Sequence, residues 1–229
     1  FILLKLLIVR FQMIEIAIDG TAASGKGTLA KKLADKYGFV HLDTGLLYRK
    51  VANELLIQNK SDPKNVETFS CKIARNLELV NLNKEELRSE ETASLASLIA
   101  TSPKLRDILN FKQKEFLLKN KKKFSGCILD GRDIGTKILP NANFKFFIDA
   151  SVEIRAKRRL LEKNISFLHE NDEKCMLQAL IKKMIDRDRL DSNRTTAPLS
   201  PANDAYVIDT SLISAEQLFE KVTKIIEGK

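Results

Sequence analysis

Residues 20 to 28 read Gly-Thr-Ala-Ala-Ser-Gly-Lys-Gly-Thr, a GxxxxGK run whose spacing suits the holding of a polyphosphate. The glycines let the backbone curl so that successive N–H groups point inward at phosphate oxygens. A helix starting there adds positive potential, and a lysine at position 26 reaches the β- and γ-phosphates. Gly20, Thr21, Ala22, Ala23, Ser24, Gly25, Lys26, Gly27 and Thr28 are therefore the candidate ATP contacts, with Lys26 the candidate catalytic cation. The residue after Lys26 is Gly27, and the first hydroxyl comes at Thr28. Mg²⁺ is then expected to be held mainly by phosphates and water, with Thr28 as the candidate protein ligand.

Phosphoryl transfer between two phosphorylated molecules gathers negative charge, so cationic side chains must converge on it. Arg155, Arg158 and Arg159 fall at i, i+3 and i+4 of a helical pattern, roughly on one face. Arg187, Asp191 and Arg194 fall at i, i+4 and i+7 around the end of the next helical stretch. Asp130-Gly-Arg-Asp-Ile-Gly135 follows an apolar run, where open α/β sheets place ligand-contacting loops. There Arg132 and Asp133 offer a planar fork of donors and a pair of acceptors. An acceptor phosphate is already ionised near neutrality, so the chemistry needs no general base.

These residues need strands and helices to present them. Ile14-Glu-Ile-Ala-Ile-Asp19, Phe39-Val-His-Leu42, Cys127-Ile-Leu-Asp130, Phe144-Lys-Phe-Phe-Ile-Asp149 and Ala205-Tyr-Val-Ile-Asp209 read as core strands. Helical patterns follow the phosphate loop through Tyr37, closed by Gly38, and cover 44–58 and much of 64–79. Ser102-Pro103 opens a helix to about Lys119, and further helices run from Ser151 to about Lys163 and over about 173–190. A last helix starts at Ser214 with Gln217 in capping-box spacing. The alternation predicts an α/β protein with a doubly wound parallel five-stranded sheet flanked by helices, the P-loop NTPase arrangement.

A chain of 229 residues suits one such domain, and 44% hydrophobic with 30% charged content suits a folded, non-membrane chain. The net charge of +9 fits phosphorylated small molecules better than nucleic acid, because Trp is absent and aromatics stand at 7%, leaving no base-stacking platform. Lysines 119 and 121 to 123 read as a solvated helix end. Three scattered cysteines, Cys71, Cys127 and Cys175, suggest a reducing compartment, hence the cytoplasm. Phe1 to Phe11 is too short to span a bilayer and lacks a small-residue cleavage site; residues 1–12 read as a dispensable extension ahead of Met13. Asn59-Lys-Ser-Asp62 matches the guanine-reading NKxD pattern, but no apolar strand precedes it, which argues against a GTPase.

From Met13 onward the chain resembles the bacterial cytidylate kinases. The resemblance is carried by GKGT, His41-Leu-Asp-Thr-Gly45 with Tyr48-Arg49, Asp130-Gly-Arg-Asp-Ile-Gly135, Arg187-Asp-Arg-Leu-Asp-Ser-Asn-Arg194 and Ala197-Pro-Leu199. It implies a monomer that transfers the γ-phosphoryl group of ATP to CMP or dCMP with Mg²⁺. It also implies that Thr44, Arg106 and Asp133 recognise cytosine with Arg194 close by, and that Arg49, Arg132 and Arg187 hold the acceptor phosphate. Asp191 would contact the ribose, and Arg155, Arg158 and Arg159 would belong to a lid that folds over the transferring phosphates, Arg155 and Arg159 as catalytic cations and Arg158 as an ATP contact. The implied layout is a core of 13–43 and 124–229, an acceptor-binding insertion of about 44–123 and a lid of about 155–195. Thr44 stands where the family has Ser, and residues 76–92 are shorter than the family's stretch. An adenylate or dephospho-coenzyme A kinase, or a nucleic-acid-binding P-loop ATPase, are the alternatives to this reading.

Overall fold

A computed structural model describes residues 13–79, 85–162 and 170–228. The N-terminal extension therefore lies outside the described residues, as does part of the shortened 76–92 stretch. β1 (Ile14–Gly20) is buried on both faces. Ile16 and Ile18 point into one apolar cluster and Ala17 into another, as the two-residue period of a strand requires. β2 (Val40–Asp43), β3 (Gly126–Gly131), β4 (Phe144–Asp149) and β5 (Tyr206–Asp209) join it. Among the described residues they form a five-stranded sheet in the order β2-β3-β1-β4-β5, every neighbouring pair parallel. The chain leaves β1 for one edge and returns through β3, whereas β4 extends the other side. Loops after β1 and β3 thus bound a crevice at the carboxyl ends of the strands, where such sheets bind ligands.

Helices cover both faces. On one, α1 (Lys26–Tyr37) presents Leu29 and Leu33 against Ile16, Ile18, Phe146 and Ile148. It ends at Gly38, left-handed at φ 63°, whose N–H bonds the Ala34 carbonyl. On the other face lie α2 (Gly45–Ile57), α3 (Val66–Arg75), α4 (Glu90–Ile99) and α5 (Pro103–Asn120), with a 3₁₀ turn at Glu85–Arg88. Leu47, Val51 and Leu55 of α2 and Leu105 and Leu109 of α5 bury themselves with Leu42 and Leu129. Ser102 caps α5 by accepting the Leu105 N–H at 3.3 Å, with Pro103 in the first turn, as its sequence predicts.

The sequence reading passes over α4 and over a π-type turn, Ile134–Ile138, after β3. It also places the next-to-last helix too short: α6 (Val152–Glu162) is followed by α7 (Glu170–Asn193), which exceeds the expected 173–190 at both ends. Ala156, Leu160, Leu180 and Met184 give α6 and α7 a small core of their own, against which Ala23 of the phosphate loop packs. The last helix, α8 (Ala215–Glu227), returns to the α1 face through Leu218 and Val222. Its capping box is complete: Ser214 Oγ accepts the Gln217 N–H at 3.2 Å and Gln217 Oε1 accepts the Ser214 N–H at 2.8 Å.

Candidate active site

The loop between β1 and α1 needs glycine at its start. Gly20 has φ 149°, and a Cβ there would lie 1.9 Å from the Ile148 carbonyl oxygen of β4. Thr21 Oγ1 donates to Asp149 Oδ1 at 2.6 Å, and Ser24 Oγ donates to the Thr21 carbonyl at 3.0 Å, so the loop is tied to the sheet and to itself. Lys26 Nζ donates to the same carbonyl at 3.2 Å. Gly25 opens α1 in a left-handed conformation, with no side-chain cap and no acidic residue in the first turn. The first N–H groups of α1 and the helix dipole are thereby available to an anion.

This loop forms one wall of a cleft of about 480 Å³. Ala22, Ala23, Gly25, Lys26, Gly27 and an exposed Thr28 line it, while Gly20, Thr21 and Ser24 form its backing. Arg49, Arg132, Arg159 and Arg187 enter from α2, the β3 turn, α6 and α7. Asp43 and Asp130, at the ends of β2 and β3, face the same space, and His41 Nε2 lies 2.6 Å from Asp130 Oδ1.

Crowding of like charge and burial perturb these groups. Burial, then Arg132, push the Lys26 ammonium down to about 7, with Asp130 and Asp43 pulling the other way. Burial and Arg132 lower Arg187 to about 9, and burial and Arg159 lower Arg49 to about 10; both stay charged at neutral pH. Burial and the neighbouring Asp130 carboxylate raise the Asp43 carboxyl above the usual range. A polyanion with a divalent cation is the guest that relieves both excesses. Among the described residues no cluster of three or more metal-ligating His, Cys, Asp or Glu side chains occurs.

A smaller recess opens beside the cleft, lined by Thr44, Tyr48, Arg106, Asp133, Asp191 and Arg194, with Arg49, Arg132 and Arg187 at the junction. Arg106, 2% exposed, donates Nη2 to Asp133 Oδ2 at 2.5 Å and Nη1 to the Ala100 carbonyl at 3.3 Å. Its guanidinium lies over the Tyr48 ring at cation–π distance, 5.7 Å from the centroid. Thr44 Oγ1 donates to the Asp130 carbonyl at 2.9 Å. Asp191 accepts Arg132 Nε at 2.9 Å; burial opposes its charge, but Arg132 and Arg187 hold its carboxyl below the ordinary carboxylate range. Arg194 Nε donates to the Ala197 carbonyl at 2.6 Å, at a residue of φ 52°. Among the described residues, Tyr48 Oη, Arg106 Nε, Arg187 Nε and Arg194 Nη2 are buried without a hydrogen-bond partner. Orphaned polar groups converging on one recess call for a polar ligand.

The three arginines of α6 divide. Arg159 reaches the cleft and bridges to the α4 side, Nε donating to Glu90 Oε1 at 3.0 Å and Nη2 to the Arg88 carbonyl at 2.7 Å. Arg155 and Arg158 lie behind the phosphate loop instead. Arg155 is buried, with Nη2 donating to Asp188 at 2.6 Å and Nε to the Ala150 carbonyl at 2.8 Å. Arg158 donates to Thr210 Oγ1 at 2.9 Å and to the Thr210 carbonyl at 2.6 Å. Asn59 and Asp62 of the NKxD match are exposed beyond the end of α2 and line neither cavity. Sequence reasoning missed Asp43, Asp130 and Glu90 as groups of the cleft and Tyr48 as a wall of the recess. Strand pattern alone did not single out the first two; the register that pairs Asp43 with Asp130 across β2 and β3 does.

Sheet order, a glycine-opened loop at the switch point and arginines converging on it define a P-loop nucleotide-binding protein. A solved structure, TT1252 from Thermus thermophilus, shares the fold at TM-score 0.51 and 15% identity, covering 95% of this chain and 97% of that one. The family model described as Cytidylate kinase matches residues 16–228. Cytidylate kinase of Methylocella silvestris is 44% identical over 93% of this chain and 94% of its own length. That of Paramagnetospirillum magneticum is 44% identical over 93% of this chain and 98% of its own. The chain belongs to the cytidylate kinase family.

Proposed function

We propose that the protein transfers the γ-phosphoryl group of ATP to CMP or dCMP, giving ADP and CDP or dCDP. Family membership supports the reaction, and one observation carries the acceptor: a recess of orphaned donors, built on the Arg106–Asp133 pair, opens directly onto the phosphate-loop cleft. Cytosine presents an amino group beside ring acceptors. A guanidinium beside a carboxylate is complementary to that edge, and Thr44 lies at the same wall. Arg49, Arg132 and Arg187 suit the acceptor phosphate at the junction, while Asp191 suits the ribose.

The Lys26 ammonium and the α1 N–H groups hold the donor phosphates. An acceptor phosphate oxygen attacks the γ-phosphorus in line, and the bond to the β-phosphate oxygen breaks as ADP leaves. Arg132, Arg159 and Arg187 compensate the charge spread over the transferring group. Thr28, Asp43 and Asp130 are hard oxygen groups suited to Mg²⁺, directly or through water. When bound, that ion neutralises phosphate charge. Arg155 and Arg158 act by bracing the loop from behind, Arg155 Nη1 at 3.5 Å from the Ala22 carbonyl and Arg158 Nη1 at 3.4 Å from that of Ser24. In this reading residues 13–43 and 124–229 are the core, about 44–123 the acceptor-binding insertion and about 155–195 the lid of a cytoplasmic monomer. Incubation with Mg-ATP and CMP, followed by ³¹P NMR, should yield equimolar CDP and ADP. ATP hydrolysis without CDP would contradict the proposal.

A further inference from the structure

The next-to-last residue of β1 is a carboxylate that lines neither the cleft nor the recess. Asp19 is 4% exposed and both its oxygens are engaged by backbone donors of another segment. Oδ1 accepts the Ile134 N–H at 2.8 Å and Oδ2 accepts the Gly135 N–H at 2.7 Å. The residue after Asp19 is Gly20, the start of the phosphate loop; the residue before Ile134 is Asp133, the partner of Arg106. The clamped segment is the π-type turn Ile134–Ile138, a geometry rare without outside support and frequent at functional sites. The carboxylate lies against the turn: a Cβ on Gly135 would meet Asp19 Oδ2 and Lys145 Cδ at 3.4 Å, ordinary contact distance.

We propose that Asp19 is a positioning residue for the acceptor: its ionised carboxylate clamps the turn that aims Arg132 and Asp133 into the recess, tying acceptor recognition to the donor-loop strand. This rests on the function proposed above. Around Asp19, Asp133 and Arg132 approach from the turn and the Lys145 stem from β4. Its neighbours across β3 and β4 are the uncharged Gly131 and Phe147. Burial raises the Asp19 carboxyl to about 6, against the two backbone hydrogen bonds; Asp133 raises it further and Arg132 lowers it. The clamp is therefore half formed near pH 6 and nearly complete by pH 7.5. As pH falls through 6, the proton gained on one oxygen displaces one of the two N–H bonds.

Asp19→Asn is isosteric, cannot ionise, and turns an amide NH₂ toward one of the two N–H groups. Steady-state kinetics of both proteins between pH 5 and 8, varying CMP and ATP separately, read the effect, with a circular dichroism melt to show folding. At pH 7.5 the variant should show a KM for CMP raised about tenfold, the order set by losing one charge-assisted hydrogen bond. Its KM for ATP should stay within about twofold. The ratio of variant to wild-type KM for CMP should fall toward one as pH drops to 5. The phosphate ionisation of CMP near pH 6 is common to both proteins and cancels in that ratio. Gly135→Val, whose branched side chain extends beyond the 3.4 Å contact toward the carboxylate but leaves it ionisable, should raise the KM for CMP while keeping the acid limb; it decides the matter where Asp19→Asn does not fold. An unchanged KM for CMP, an equal loss of ATP affinity, or a ratio flat with pH would overturn the role of Asp19. A wild-type protein that makes no CDP would instead overturn the function on which it rests.

Discussion

At the floor of the cleft Lys26 shares a small volume with Arg132, Asp43 and Asp130. An ammonium so placed is useful only when phosphate arrives, because its own surroundings push it toward neutrality. Lys26→Ala should therefore leave the fold intact by circular dichroism and lower kcat/KM for ATP about a thousandfold, as loss of an electrostatic contact to the transferring group does. Retention of full activity would remove Lys26 from the chemistry. The glycines and Lys26 were legible in the sequence because their spacing has few other uses. Asp19, Asp43 and Asp130 were not, since a carboxylate closing an apolar strand looks like any strand end. The sheet register brings them under the cleft, and burial of their charge follows from assembly.

Elements carry the same distinction. Strands and capped helices could be read because β1, β3 and β4 are short, compact apolar runs, and because Gly38, Ser102 and Ser214 punctuate the helices. α4 could not: apart from Ile99 it buries Thr92, Ala93, Ala96 and Ser97, small or hydroxyl side chains that leave a faint apolar stripe, even though Ser89 caps it. α6 and α7 rest on a core of a few side chains against which Ala23 of the phosphate loop packs. Leu33→Ala, in the large cluster under α1, should cost about 2–5 kcal/mol and lower the thermal midpoint. Leu160→Ala should lower the midpoint less, yet raise the KM for ATP and expose the α6–α7 segment to limited proteolysis. Equal midpoints with an unchanged KM would mean that this hairpin does not support donor binding.

The whole molecule trades stability for a charged, receptive cleft. Lys26 holds its proton less tightly when folded than when unfolded, so between about pH 7 and 10 the unfolded chain binds more protons. Stability from this group then rises with pH through that window. Bound phosphates reverse the shift, so at pH 8 ATP binding should take up protons. Calorimetry in buffers of different ionisation enthalpy would detect this; no buffer dependence would argue against a depressed lysine. The net charge of +9 is thus partly spent on ligands, while Lys119, Lys121, Lys122 and Lys123 stand exposed around the end of α5. Among the described residues no helix is long and apolar enough to cross a membrane.

The central claim is that this cleft phosphorylates a cytosine nucleotide, and the acceptor's specificity constant tests it most directly. With Mg-ATP saturating, kcat/KM should be measured side by side for CMP, dCMP, UMP and AMP. A base edge matched to the Arg106–Asp133 pair predicts that CMP or dCMP exceeds UMP and AMP by on the order of a hundredfold, since mismatched partners leave buried polar groups unpaired. Equal or greater efficiency with UMP or AMP would contradict the account.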